Sequence, residues 1–350
     1  MRRKKIKRKK TGVVLLFSIG IVLAGIFVLD LMPKITGFFN LPAANAQNTV
    51  SASNQTEDKV SDKEPTDLSQ VATKEDVELP QYSPPKDASY LLLNLKTGER
   101  ILEKDPQLVR APASTVKLLT GLVVYDKLQE EQLLTLGEEV REEGSILGLK
   151  PGDTILVKEL YKAMYVMSAN DAANALAVAA FGNMEEFIKA MNQYAQELGC
   201  ENSQFLTANG MPAQDQYTTA ADMARIAAKF IKNQDLMEYV KLKEATVTWT
   251  DANGYKQVRE LSNTNLLLGL YPGDSGLKTG TTTEAGQCLI TYVSNPDGDL
   301  LLVLLGSKQR YKDTVALLDQ GIAKIRSRSA LKNIYQSPEA LYNTPGYYIQ

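Results

Sequence analysis

The chain of 350 residues contains no histidine. That absence removes the Ser-His-Asp triad, the Cys-His protease pair and most hydrolytic zinc sites, all of which draw on imidazole. Any acyl-transfer chemistry must therefore use lysine, a carboxylate or tyrosine as its base. Cysteine is nearly absent as well. Cys200 and Cys288 form neither a disulfide framework nor a metal-ligand spacing. They read as two buried, reduced thiols, with a single bridge left open by the oxidising compartment argued below. No metal and no cofactor is implied. Nor is there an excess of charge: 39 basic against 41 acidic side chains leave a net −2, which gives no whole-protein case for nucleic-acid binding. No internal repeat is visible. What the chain does hold is 44% hydrophobic residues, enough for one or two cores.

Charge and apolarity are instead segregated at the N-terminus. Residues 2–10 read RRKKIKRKK, and an apolar run from Gly12 to Leu29, broken only by Ser18, is closed by Asp30 and Pro33-Lys34. About 18–20 apolar residues suffice to cross a bilayer as a helix, and the basic cluster keeps its own side cytoplasmic. A cleaved signal peptide would use Ala44-Asn45-Ala46, but the run exceeds the usual signal core of about 7–15 residues. The expectation is an uncleaved single-pass anchor over 12–32 behind a basic tail at 1–11, with the rest of the chain outside the cytoplasm. Residues 33–87, polar and punctuated by Pro65, Pro80, Pro84 and Pro85, read as a flexible linker that cannot offset its ordering entropy. A folded domain is expected over 88–326. The residues after Arg326 include Tyr335, Tyr342, Tyr347 and Tyr348 and show no clear amphipathic pattern, so 327–350 reads as a tail.

Within the folded part, SYLLLNLKTGERILEK (89–104) predicts a hairpin turning at Lys96-Thr97-Gly98. A helix is predicted from Ser114 to Leu128, short strands and turns over 134–156, and helices over 157–167, 170–181, 183–198 and 218–233, the last with a threonine cap. The period then changes to two. A second hairpin (245–250 and 255–261) and strands over 276–282, 286–294 and 299–307 follow, closed by a helix over 309–326. Strands at both ends with helices between predict an α+β domain, one antiparallel sheet packed by helices.

Three short motifs carry chemistry. In Ser114-Thr115-Val116-Lys117 the i, i+3 spacing puts the amine on the same helical face as the hydroxyl. Serine needs a base to become a nucleophile, and a buried lysine with positive neighbours can serve. In Ser168-Ala169-Asn170, between two helices, a hydroxyl could relay a proton and an amide could hold a carbonyl. In Lys278-Thr279-Gly280, a glycine inside a strand signals the close approach of a ligand or another backbone, and the lysine and threonine could hold a carboxylate. Singly, each has an ordinary reading: a capping serine with a solvated lysine, another helix cap, and an exposed edge strand. Together, in this order and on these elements, they are far more specific.

The set, with VRAPASTVKLLTGLV, MSANDAANALA, TANGMPAQDQYTTAADMARIA and SGLKTGTTTEAGQCL around it, resembles the low-molecular-mass penicillin-binding proteins. These are serine D-Ala-D-Ala carboxypeptidases of the β-lactamase/transpeptidase-like superfamily. The resemblance implies that fold, an antiparallel sheet with an all-helical subregion. It implies Ser114 as nucleophile, Lys117 as its base, and Ser168 with Lys278 passing the proton to the departing D-alanine. Asn170 would hold the acyl part of the substrate and Thr279 the terminal carboxylate. The backbone amides of Ser114 and Thr281, beside Gly280, would form the oxyanion hole, and Arg310 would add charge for the carboxylate. The implied partners are peptidoglycan stem peptides ending in D-Ala-D-Ala and β-lactams, at a bacterial cell membrane. The rival readings are a class A β-lactamase, which would need a deacylating glutamate such as Glu201, an endopeptidase or transpeptidase on the same scaffold, and a non-catalytic peptidoglycan-binding or β-lactam-sensing module.

Overall fold

The computed structural model describes residues 86–336. The basic segment, the apolar run and all but the last residues of the expected linker lie outside the described residues. Among the described residues no helix is long and apolar enough to cross a membrane.

The frame is a five-stranded antiparallel sheet built from β1 (Ser89–Asn94), β2 (Arg100–Lys104), β7 (Asp274–Thr282), β8 (Gly286–Asn295) and β9 (Gly298–Ser307), in the order β2-β1-β9-β8-β7. The central strand β9 reads DLLLVLL without polar alternation because both its faces are covered. Successive side chains of a strand point to opposite faces. Leu300, Leu302 and Leu304 pack with Leu317 and Leu318 of the terminal helix α7 (Arg310–Gln336), while Leu301, Val303 and Leu305 join the larger core on the other side. Helix α7 runs ten residues beyond the expected boundary at 326, into the segment expected to be a tail.

That larger core belongs to a helical subregion of α1 (Lys117–Tyr125), α2 (Val157–Val166), α3 (Asn170–Phe181), α4 (Met184–Glu197), α5 (Ala220–Phe230) and α6 (Gln234–Val240). Helix α3 is alanine-rich because it lies among α1, α2 and α4, with Ala172, Ala173, Ala175 and Ala177 all buried. Side-chain caps start three of the helices. Asn183 accepts from Glu186 N, Thr219 from Asp222 N and Asn233 from Leu236 N; each such cap contributes about 1 kcal/mol. Helix α6 was not expected, since seven residues are too few for a helical period to stand out.

Two further expectations are corrected. The predicted helix over Ser114–Leu128 begins instead as a 3-10 turn, Ala113–Val116, becomes α-helical only at Lys117 and ends at Tyr125. The expected single sheet is two. β3 (Leu133–Thr135), β4 (Thr154–Leu156), β5 (Glu244–Thr250) and β6 (Lys256–Ser262) form a second, four-stranded antiparallel sheet in that order. The second hairpin is there, but β5 is joined to β4 through one register pair, Thr154 with Thr250, supported by Ala252 N donating to Asp153 Oδ1. The two cysteines are free and buried.

At Gly121 the side chain of Tyr165, from α2, lies against α1: a Cβ built there would lie 1.7 Å from Tyr165 Oη. Gly121→Ala is expected to destabilise the domain by about 1–3 kcal/mol in urea denaturation, although alanine is the better helix former. Adding Tyr165→Phe should restore part of the loss. Strict additivity of the two substitutions would show that the clash is not there.

Candidate active site

The 3-10 turn matters because three residues per turn stack positions i and i+3 directly above one another. Ser114 and Lys117 are so stacked, and Lys117 Nζ donates to Ser114 Oγ at 2.9 Å. The turn is entered through a strained residue, Ala113, at φ 47°. It is held by Thr115, whose buried hydroxyl donates to Pro112 O at 2.6 Å. On its open side lies β7, the edge strand of the large sheet. A Cβ on Gly280 would come within 3.0 Å of Ser114 N and 2.9 Å of Ala113 Cβ. The glycine inside the predicted strand is thus explained by close approach of another backbone.

Lys117 is wholly buried, and its amine makes two further hydrogen bonds, to Asn170 Oδ1 at 2.7 Å and to the backbone carbonyl of Asn209 at 2.6 Å. Burial pushes its pKa well below the usual lysine value. The nearby Lys278 pushes it further, and the charges of Asp171 and Glu142 act in the opposite direction. Lys278 is also buried and drops to about 7, first from desolvation and then from Arg310. Its amine donates to Thr279 O at 3.1 Å. Asn170 opens α3, and its Nδ2 donates to Glu143 O at 2.7 Å. Ser168, between α2 and α3, is held at φ 66°, a region that costs a residue with a side chain of order 1–3 kcal/mol.

These elements enclose a cleft of about 250 Å³ lined by Ser114, Ser168, Thr279, Gly280, Thr281 and Arg310, together with Ser145, Thr264 and Tyr311. Six of the nine residues singled out in the sequence line it, and Lys117, Asn170 and Lys278 lie behind them. Among the described residues no carboxylate lines it, and Glu201 is exposed and outside it. Among the described residues no cluster of three or more acidic, cysteine or histidine side chains could hold a metal ion.

Arg310 is not a stray surface residue. Its guanidinium donates to Gly280 O at 3.0 Å, to Cys288 O at 3.1 Å and to Thr281 Oγ1. It thereby tethers α7 to β7 and β8 and brings a cation to one end of the cleft. Thr279 Oγ1 shares a 2.7 Å hydrogen bond with Thr264 Oγ1. Thr264 is pinned on both sides, its N donating to Val166 O at 2.9 Å and its O accepting from Tyr311 Oη at 2.6 Å.

Sequence reading missed Ser145, Thr264, Tyr311 and the carbonyls of Glu143 and Asn209. None of them sits in a motif with chemistry of its own. The segment around Asn209 carried a signal only through the resemblance of TANGMP, and its rigidity now has a cause. Gln216 Oε1 accepts from Leu206 N, Thr207 N and Thr207 Oγ1, and Thr120 Oγ1 donates to Ala208 O at 2.6 Å. Gly210, at φ 84°, lets the chain pass Ala113 O, which a Cβ would approach to 2.0 Å.

The buried lysines make stability depend on pH. Because folding lowers the Lys278 pKa to about 7, the unfolded chain binds that proton more tightly. The cost is fully present below the folded value and is relieved as pH rises towards the unfolded value of roughly 10.4. The Tm of the wild-type domain should rise from pH 7 to pH 9, and that of Lys278→Met should rise less. Equal slopes in calorimetry would show that Lys278 does not titrate in this way.

A model of the D-alanyl-D-alanine carboxypeptidase family matches residues 78–309. The D-alanyl-D-alanine carboxypeptidase DacF of Bacillus subtilis is 31% identical over 256 residues, covering 70% of this chain and 64% of the relative. DacC of Escherichia coli is 31% identical over 278 residues, covering 75% and 66%. The chain therefore spans just under two thirds of the length of these two relatives. Among solved structures, the DD-transpeptidase of Streptomyces K15 matches at TM-score 0.65 and 27% identity, covering 69% of this chain and 100% of that one. Penicillin-binding protein D2 of Listeria monocytogenes, in its ampicillin-bound form, matches at TM-score 0.58 and 30% identity, covering 67% and 96%. All the cleft-lining residues except Arg310 and Tyr311 fall within the residues that the family model matches, and the chain belongs to the D-alanyl-D-alanine carboxypeptidase family, among the low-molecular-mass penicillin-binding proteins.

Proposed function

We propose that this chain removes the terminal D-alanine from peptidoglycan stem peptides through an acyl-enzyme on Ser114, and that β-lactams acylate the same hydroxyl. The observation that carries this reading is the 2.9 Å hydrogen bond between Ser114 Oγ and the buried amine of Lys117. A lysine whose pKa burial and Lys278 hold well below the usual lysine value can take the serine proton at a pH where an exposed lysine cannot.

In the forward step Ser114 Oγ attacks the carbonyl between the two D-alanines as its proton passes to Lys117 Nζ. The oxyanion faces the amides of Ser114 and Thr281, donors of a kind worth about 3–4 kcal/mol when preorganised. The C–N bond then breaks, and the proton moves to the departing D-alanine amine by way of Ser168, with Lys278 adjacent. Water hydrolyses the ester and restores Ser114. Thr279 and the positive charge of Arg310 receive the terminal carboxylate. Asn170 spends one N–H on Glu143 O, and its second N–H is free for the acyl part of the substrate.

The absence of a carboxylate from the cleft lining favours this reading over a class A β-lactamase, which needs one to activate the deacylating water. For cellular placement, RRKKIKRKK followed by the run from Gly12 to Leu29 supports a single membrane anchor with the catalytic domain, residues 88–326 with the rest of α7, on the outer side.

Three experiments test the proposal. Ser114→Ala should abolish labelling by a fluorescent penicillin. Lys117→Ala should fold but acylate at least about a hundredfold more slowly. Labelling of the first variant, or near-normal acylation of the second, would remove the assigned nucleophile or base. Deletion of residues 1–46 should give a soluble protein that releases D-alanine from a D-Ala-D-Ala peptide, and a deleted chain that stays in the membrane fraction would refute the anchor.

A further inference from the structure

Asp171 follows the second motif and takes no part in the steps above. It is wholly buried, yet among the described residues it is not ion-paired. It accepts three successive backbone amides instead: Leu147 N at 2.9 Å on Oδ1, and Gly148 N at 2.8 Å and Leu149 N at 3.1 Å on Oδ2. Oδ1 also accepts from Ala172 N at 2.9 Å. Four backbone donors thus converge on one buried side chain. The three amides turn inwards through Gly148, at φ 95°. On the outer side Arg259 of β6 donates to the carbonyls of Ile146 and Leu147 at 3.0 and 2.7 Å.

The loop so clamped, residues 143–149, is the one that meets the catalytic cleft. Its Glu143 carbonyl accepts from Asn170 Nδ2 at 2.7 Å, and its Ser145 carbonyl accepts from Asn170 N at 2.7 Å. Ser145 Oγ, itself lining the cleft, donates to Met167 O at 2.6 Å. The bond to Glu143 decides which way the Asn170 amide faces, and hence that Oδ1 rather than Nδ2 meets Lys117 Nζ. Were the loop to move away, the amide could flip and set an N–H donor against the amine.

We propose that Asp171 is a positioning residue of the acylation step: by stapling residues 147–149 it holds the 143–149 loop, which fixes the Asn170 amide and through it the amine of Lys117. The inference rests on Lys117 being the base. The groups bearing on that amine are Lys278 from β7, Asp171 from α3 and Glu142, the residue just before the loop, while Tyr165 of α2 donates to the Lys117 carbonyl.

Asp171→Asn separates positioning from mere support of the fold. It sets an amide N–H among the donors and removes a negative charge that holds the Lys117 pKa up. The plateau rate of acylation by a penicillin should fall about ten- to a hundredfold, the cost of a displaced catalytic group. The acid limb of the pH–rate profile should move to lower pH, because Lys117 then loses its proton more easily. A folded variant with a plateau within about twofold of wild type, or with an unmoved limb, overturns the proposal. Should the variant not fold, amide exchange in the wild-type protein decides. The amides of Leu147, Gly148 and Leu149 should exchange slowly and slow further once Ser114 is acylated. Fast exchange, or exchange indifferent to acylation, overturns it. Failure of Lys117→Ala to slow acylation would count against the base instead, and is read in a separate variant.

Discussion

The structure is organised around an amine taken out of water without a counter-ion. Lys117 Nζ is buried and satisfied only by neutral oxygens, those of Ser114, Asn170 and Asn209. A charged ammonium in that setting would be costly, and a second buried lysine beside it raises the cost. Both effects favour the neutral amine, which is the form that can accept a proton. The three acceptors come from three separate parts of the chain: the 3-10 turn before α1, the first residue of α3 and the connection before α5. Much of the remaining structure holds those parts in register.

That register is kept by local strain and by missing side chains. Ala113 and Ser168 both sit at positive φ, and such conformations persist only where the surroundings over-determine them. At Ala113 the surroundings are Gly210 on one side and Gly280 on the other, each so close that a Cβ would collide with the 113–114 backbone. The edge position of β7 serves the same end. A strand paired on both sides could not lie against the turn carrying Ser114, whereas an edge strand can present Thr279, Gly280 and Thr281 to the cleft. Arg310 closes the arrangement by bonding to β7 and β8 from the start of α7, so the terminal helix is part of the cleft wall as well as a cover for the sheet.

The two sheets illustrate where a one-dimensional pattern stops being informative. Strand β9 is read easily, because a run of Leu and Val between turn residues is compatible with little else in this context. The hairpin β5–β6 is equally plain. Its union with β3 and β4 is not, since β3 and β4 have three residues each and the link between the halves is a single pair, Thr154 with Thr250. Contacts so distant in sequence leave no periodic trace. The 3-10 turn at Ser114 was invisible for a related reason: its i, i+3 spacing is also that of an α-helix, and only the packing of Gly210 and Gly280 decides between them.

What the sequence determined alone was the chemistry available and its order along the chain. Without histidine, the base had to come from another residue type, and the Ser-x-x-Lys, Ser-x-Asn and Lys-Thr-Gly motifs named the groups, since spacing within one turn or one strand is a local property. What only the tertiary structure decided was which oxygens surround the amine, which residues complete the cleft, and what clamps the loop above it. Asn209, Thr264, Tyr311 and Ser145 acquire their places from contacts between segments tens of residues apart. Burial, the largest cause of both lysine shifts, exists only once those segments have packed.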